Sequence, residues 1–217
     1  MTLNDELDRI FAGRDRNNMQ PTIDALLPLY ASHPENARVL YEVGGAYDTA
    51  GQEDIARGFY EKALAVGLEG DLLRRCYVQY GSTLRNVGEY VKSREVFREA
   101  RTTFPESPAL VVFEAITLHA AGQANESIAE LLDLAVNFIS TPDLERYKPA
   151  ISGNAAYIRS LEGTGAPARR FHGTQDDAAR RVGAPACSRQ SPQGDSCQTD
   201  PASIDAKSAS EGFPDVS

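Results

Sequence analysis

Three cysteines and three histidines are the residues of this chain best equipped for chemistry, and their spacing withholds it. Cys187 and Cys197 stand far from Cys76 and from each other, without the close pairing that a tetrahedral zinc site needs. A disulfide between the two distal cysteines would require an oxidising compartment, which no other feature suggests. His33 falls in a turn, His119 near the end of a helical segment and His172 far towards the C-terminus, and no recognisable motif sets a serine or cysteine nucleophile beside any of them. The acidic pairs Glu53-Asp54 and Asp176-Asp177 read as helix starts or solvated faces rather than as acid–base dyads. Gly44-Gly45 and Gly163-Thr164-Gly165 lack the Gly-Lys-Ser continuation of a phosphate loop. No catalytic residue, metal ligand or cofactor site is therefore expected, and the chain does not read as an enzyme.

Charge narrows the partners. The 217 residues carry a net charge of -9, with a pI of about 4.9. Gripping a phosphate backbone takes clustered lysines and arginines, so nucleic acid is not an expected partner. Met1 to Glu6 is acidic and lacks the basic and apolar regions of a signal peptide, and no apolar run approaches the roughly 20 residues of a membrane span. The expected setting is the cytoplasm, with no membrane contact.

The elements that must position any functional side chain announce themselves by repetition. In Ala37 to Gly70 the landmarks are Leu40, Val43, Gly44, Tyr47, Ala56, Tyr60 and Ala63. Arg74 to Ser107 repeats them as Tyr77, Tyr80, Gly81, Leu84, Ser93, Phe97, Ala100 and Pro105; Pro108 to Thr141 does so more loosely, as Val111, Glu114, Ala115, Leu118, Ser127, Leu131 and Leu134. The turn glycines Gly51, Gly88 and Gly122 are 37 and 34 residues apart, which places a three-residue insertion in Val66 to Asp71. A period of this size predicts stacked helical hairpins. Gly44 and Gly81 lie in mid-helix, where glycine costs about 1 kcal/mol relative to alanine, so a close approach of the partner helix must compensate.

Both flanks fit a stack. Residues 3–36 read as a degenerate hairpin: Leu3, Leu7, Ile10 and Phe11 follow Thr2, which makes a capping box with Asp5, and a second helix from Pro21 to Ser32 buries Ile23, Leu26, Leu27 and Tyr30 and is kinked at Pro28. Thr141-Pro142 opens a further helix over 142–161, with Leu144, Tyr147, Ile151, Ala155 and Ile158 at helical steps, covering the last hairpin and filling the end of the groove. From residue 163 to 217 apolar residues become sparse, and a disordered tail is expected.

With these landmarks, residues 37–141 resemble the tetratricopeptide repeat (TPR) family, most closely its small stand-alone bacterial members, through Leu40 to Asp48 and Ser82 to Gly88. The resemblance implies an all-α, right-handed solenoid of four hairpins and a capping helix, no catalysis, and a protein or peptide partner held on the concave face, or self-association as a homodimer. In the family that face is lined by repeat positions 2, 5, 9 and 12. They correspond here to Arg38, Tyr41, Gly45 and Asp48, to Arg75, Val78, Ser82 and Arg85 with adjoining Asn86, and to Ala109, Val112, Ile116 and His119. Arginines over an apolar floor suit a segment carrying a carboxylate and a hydrophobic anchor; the competing reading, which carries more weight, is that Arg38, Arg75 and Arg85 make surface ion pairs with neighbours such as Glu42 and Glu89. The lysine and asparagines with which chaperone-tail binders clamp a terminal carboxylate are replaced by Tyr41, Glu42 and Gly45, then Val78, Gln79 and Ser82. An interaction scaffold is preferred over a peptide-sensing regulatory receptor, because Thr2 to Asn18 is too short and acidic to read DNA.

Overall fold

A computed structural model of the chain describes residues 1–161. Cys187, Cys197, His172, both of the more C-terminal motifs (163–165 and 176–177) and the expected tail lie outside them. Among the described residues the order is α1 (Leu3–Ala12), α2 (Gln20–Ser32), α3 (Ala37–Thr49), α4 (Glu53–Val66), α5 (Gly70–Asn86), α6 (Tyr90–Thr103), α7 (Pro108–Ala120), α8 (Ala124–Phe138) and α9 (Pro142–Ser160), with no strand. Each helix packs on the next, and the first helices of successive hairpins also touch, α1 on α3, α3 on α5 and α5 on α7. That second set of contacts sets four helices side by side and makes one continuous face. The architecture is an all-α repeat solenoid, and no described helix is long and apolar enough to cross a membrane.

The same local device closes the first helix of every repeat. Gly51, Gly88 and Gly122 have φ of 73°, 83° and 80°, and the N–H groups of Gln52, Glu89 and Gln123 donate to the carbonyls of Tyr47, Leu84 and Leu118 at 2.8 to 2.9 Å. This is the Schellman arrangement, which needs a left-handed residue that glycine adopts without a Cβ penalty. The insertion between the first two copies is absorbed by two more left-handed glycines, Gly67 and Gly70, with Leu68 buried between them. α5 starts a turn early as a result.

Mid-helix glycines are there for contact. A Cβ on Gly81 would stand 2.6 Å from Cε2 and Cζ of Phe97, and one on Gly44 2.9 Å from Cδ1 and Cε1 of Tyr60. Both rings are fully buried in the central core. Where alanine fills the facing position in the first hairpin, serines stand in the other two: Ser93 Oγ donates to the Gly81 carbonyl and Ser127 Oγ to that of Ala115, each at 2.7 Å. A buried hydroxyl is acceptable there because a helix carbonyl has a second lone pair to offer.

The ends depart from expectation. The capping box forms, with Thr2 Oγ1 accepting from Asp5 N–H and Asp5 Oδ2 from Thr2 N–H. Leu27, expected inside, is exposed, as is Phe11, whose ring is covered by the Arg14 guanidinium at 3.5 Å. α2 continues through Pro28 as one helix. In the third repeat Leu131 occupies the place of Tyr60 and Phe97 but is 42% exposed, because among the described residues only α9 follows to cover it. α9 packs along α8 without approaching α7, so it does not fill the groove, and of its apolar residues Ala155 alone is buried, with Tyr147 51% exposed. Ion pairs hold it instead: Arg159 reaches Glu126, Glu130 and Asp133 of α8 at 3.1, 3.4 and 2.8 Å. The odd Glu114 of that repeat is buried and bonded to Arg101, at 2.7 Å, which also binds Glu130.

Candidate functional site

The face shared by α1, α3, α5 and α7 carries the candidate residues, placed there by the 3, 4, 3 spacing along each first helix. Their environments differ more than the pattern implies. Arg38 is half-buried, bonded to Asp8 of α1 and 3.8 Å from Glu42. Exposed Arg75 pairs with Asp71 at 2.7 Å. Both thus form ion pairs, as the ion-pair reading expects, although Arg38 Nε is buried without a hydrogen-bond partner. Glu89 pairs with Arg57 of α4 instead, and Arg85 is the one of the three groove arginines that makes no ion pair among the described residues. Arg85 Nη2 donates to Asn86 Oδ1 at 3.3 Å, while its Nη1 is buried without a hydrogen-bond partner.

Two neighbouring atoms share that condition. Ser82 Oγ and Gln79 Oε1, one helical turn apart on α5, are buried with no partner. Beside them Asp48 accepts from Thr83 Oγ1 at 3.0 Å and from the Tyr60 hydroxyl at 3.3 Å. Burial raises the Asp48 carboxyl above its usual value, an effect that those hydrogen bonds oppose in part. Burial likewise raises Glu42, against the pull of Arg38, and pushes the Tyr41 hydroxyl up to about 12. The same cause lowers the Arg85 guanidinium.

Towards the C-terminal side the face is apolar. Val78 and Val112 are half-buried, Ile116 is 44% exposed, and His119 and Asn86 are exposed at the ends of their helices. Towards the N-terminal side a cavity of about 180 Å³ opens between α1, the turn at residues 13–19, α2, α3 and α5. Tyr41, Gly45 and Arg75 line it, joined by residues that the repeat pattern does not single out, among them Leu7, Ile10, Arg14, Arg16, Met19 and Gln79. For Gln79 a signal existed, since it adjoins Val78 at the position the chaperone-tail clamp would use. The turn residues belong to no repeat, and periodicity is silent about them.

Chemistry beyond binding has little support in these groups. Cys76 is fully buried and its thiol is pushed up to about 12, far from a thiolate nucleophile. Among the described residues no group of three or more His, Cys, Asp or Glu side chains could hold a metal ion. A family model described as tetratrico peptide repeat matches residues 37–160, and thus α3 through α9. No curated protein matches the chain.

Proposed function

Since the chain belongs to the tetratrico peptide repeat family, we propose that it is an interaction scaffold that holds a peptide segment of another protein along the face of α1, α3, α5 and α7. The observation that carries this reading is an apolar stretch of the face beside a groove arginine that makes no ion pair among the described residues: exposed Ile116 with half-buried Val112 and Val78, next to half-buried Arg85. A peptide seated there would cover the apolar surface and offer a carbonyl or carboxylate oxygen to the guanidinium. Peptides selected from a random displayed library on the full chain test the proposal. Binding should fall at least tenfold on Val112→Glu and Ile116→Glu, which charge the groove, and stay unchanged on Ile55→Glu, an equally exposed site on α4. Equal loss on all three variants, or on none, would overturn it.

Self-association has its own supporting observation. Ile128, Leu131 and Phe138 are exposed on one stripe of α8, beyond which only α9 packs among the described residues. A second copy of the same stripe is a suitable cover, because a two-fold contact needs only a self-complementary patch. A Leu131→Lys change should convert any dimer seen by sedimentation to monomer; a mass independent of concentration and of this change would dismiss it.

A further inference from the structure

The cavity at the N-terminal end of the groove has a size, a lining and a charge that specify more than a peptide in general. Its volume of about 180 Å³ compares with the roughly 150 Å³ cavity that accommodates benzene, and falls short of the roughly 300 to 1,000 Å³ of pockets for whole small molecules. It therefore has room for one side chain and none for a nucleotide or an organic cofactor. Leu7, Ile10, Met19 and Leu26 form an apolar floor, and Gly45 and Ala46 keep the α3 side clear.

Its mouth is cationic on an acidic protein. Arg14, Arg16 and Arg75 line it, with Glu42 the one carboxylate among the lining residues and already beside Arg38. Arg14 is held in place, donating to the Phe11 carbonyl at 2.7 Å and lying over the Phe11 ring. Arg16 is exposed and, among the described residues, enters no ion pair. The turn that carries both is braced: Asp15 Oδ1 accepts from Asn17 N–H at 2.9 Å and Asp15 O from Asn18 N–H at 3.0 Å, and buried Met19 anchors its end. Little ordering is left for a ligand to impose, which favours affinity.

The geometry points to an anchor pocket that takes one branched aliphatic or phenyl side chain of the bound segment, with a carboxylate next to that side chain in sequence met by Arg14 and Arg16. This rests on the groove reading, which it sharpens to acidic segments bearing a large apolar residue. The chain has two methionines, and they provide the assay: Met19 forms part of the floor, whereas Met1 is 88% exposed and serves as control.

In the full chain labelled at its methionine methyls, Ac-Asp-Leu-Asp-NH2 should shift the Met19 signal saturably and leave Met1 unmoved. Ac-Asp-Ala-Asp-NH2 and Ac-Lys-Leu-Lys-NH2 should each bind at least tenfold more weakly. Gly45→Leu should abolish the response by filling the cavity, since a Cβ there meets nothing nearer than 3.8 Å. Arg16→Glu, on the exposed turn and safe for folding, should weaken Ac-Asp-Leu-Asp-NH2 at least fivefold. A Met19 signal that stays still at millimolar peptide, or that responds equally to the leucine and alanine peptides or equally in wild type and Arg16→Glu, overturns the pocket. Should the library peptides then still depend on Ile116, the groove stands without it; should Met19 respond while those peptides ignore Ile116, the groove fails and the pocket remains.

Discussion

Gly44 and Gly45 are adjacent in one helix, and replacing each by alanine should move stability in opposite directions. Both substitutions gain the same intrinsic helix preference, about 1 kcal/mol. At Gly45 nothing opposes the gain, since the new Cβ would lie 3.8 Å from the Tyr60 hydroxyl and 4.0 Å from Gln79 Oε1, at ordinary contact distance. At Gly44 it would lie 2.9 Å from two carbons of the Tyr60 ring and 3.2 Å from Phe59 Cβ. Tyr60 has nowhere to go: it is fully buried, bonded to Asp48, and flanked by the rings of Tyr41 and Tyr80 at 6.4 and 6.5 Å. Phe59 Cβ can move only with the backbone of α4. Overpacking of this kind costs about 1 to 3 kcal/mol, so the two variants should differ by about 2 kcal/mol. For a domain of this size each kcal/mol is worth about 2 to 4 °C, so Gly45→Ala should melt about 4 to 8 °C above Gly44→Ala in thermal unfolding followed by circular dichroism. The wild type should fall at or above Gly44→Ala and below Gly45→Ala. If Gly44→Ala melts as high as Gly45→Ala, the close approach of α3 and α4 at this point is refuted, and with it the reason for a glycine at this place in the repeat.

Three further outcomes are expected. Ser93→Ala removes the hydroxyl bonded to the Gly81 carbonyl and should lower stability by about 1 kcal/mol in urea unfolding, and an unchanged midpoint would mean that this bond contributes nothing. Asp48 has a folded-state pKa raised above its ordinary 3.8 by burial, so its contribution to stability is complete below that value and is lost as pH rises through the folded pKa; the melting temperature of Asp48→Asn should therefore gain on the wild type between pH 4 and pH 7, and a constant or shrinking difference would refute the shift. Arg159→Ala breaks the three contacts that bind α9 to α8 and should speed amide exchange in α9 several-fold while leaving α3 to α6 protected, whereas equal acceleration everywhere would show that α9 is not held independently.

What could be read without coordinates was whatever a single hairpin fixes for itself. Gly51, Gly88 and Gly122 mark turns because a left-handed residue is a local demand, met identically in each copy, and Gly44 and Gly81 imply a close approach because nothing else offsets their cost inside a helix. The period then leaves stacking as the way to bury what each hairpin exposes. Contacts between hairpins were hidden, since they join residues with no fixed spacing. Arg38 turns to Asp8, thirty positions away, and Arg57 takes the Glu89 that a surface pairing would have assigned to Arg85, so which groove arginine is left without an ion pair was decided by packing. The cavity brings Leu7, Met19, Gly45 and Arg75 together from three hairpins and a turn outside the repeat, and exposure at Leu131 and Tyr147 follows from how little lies beyond α8 among the described residues. Local backbone demands and a repeating apolar stripe are written in order along a chain; charge partners, cavities and the covering of an end depend on which surfaces meet, and that is settled only once the hairpins are stacked.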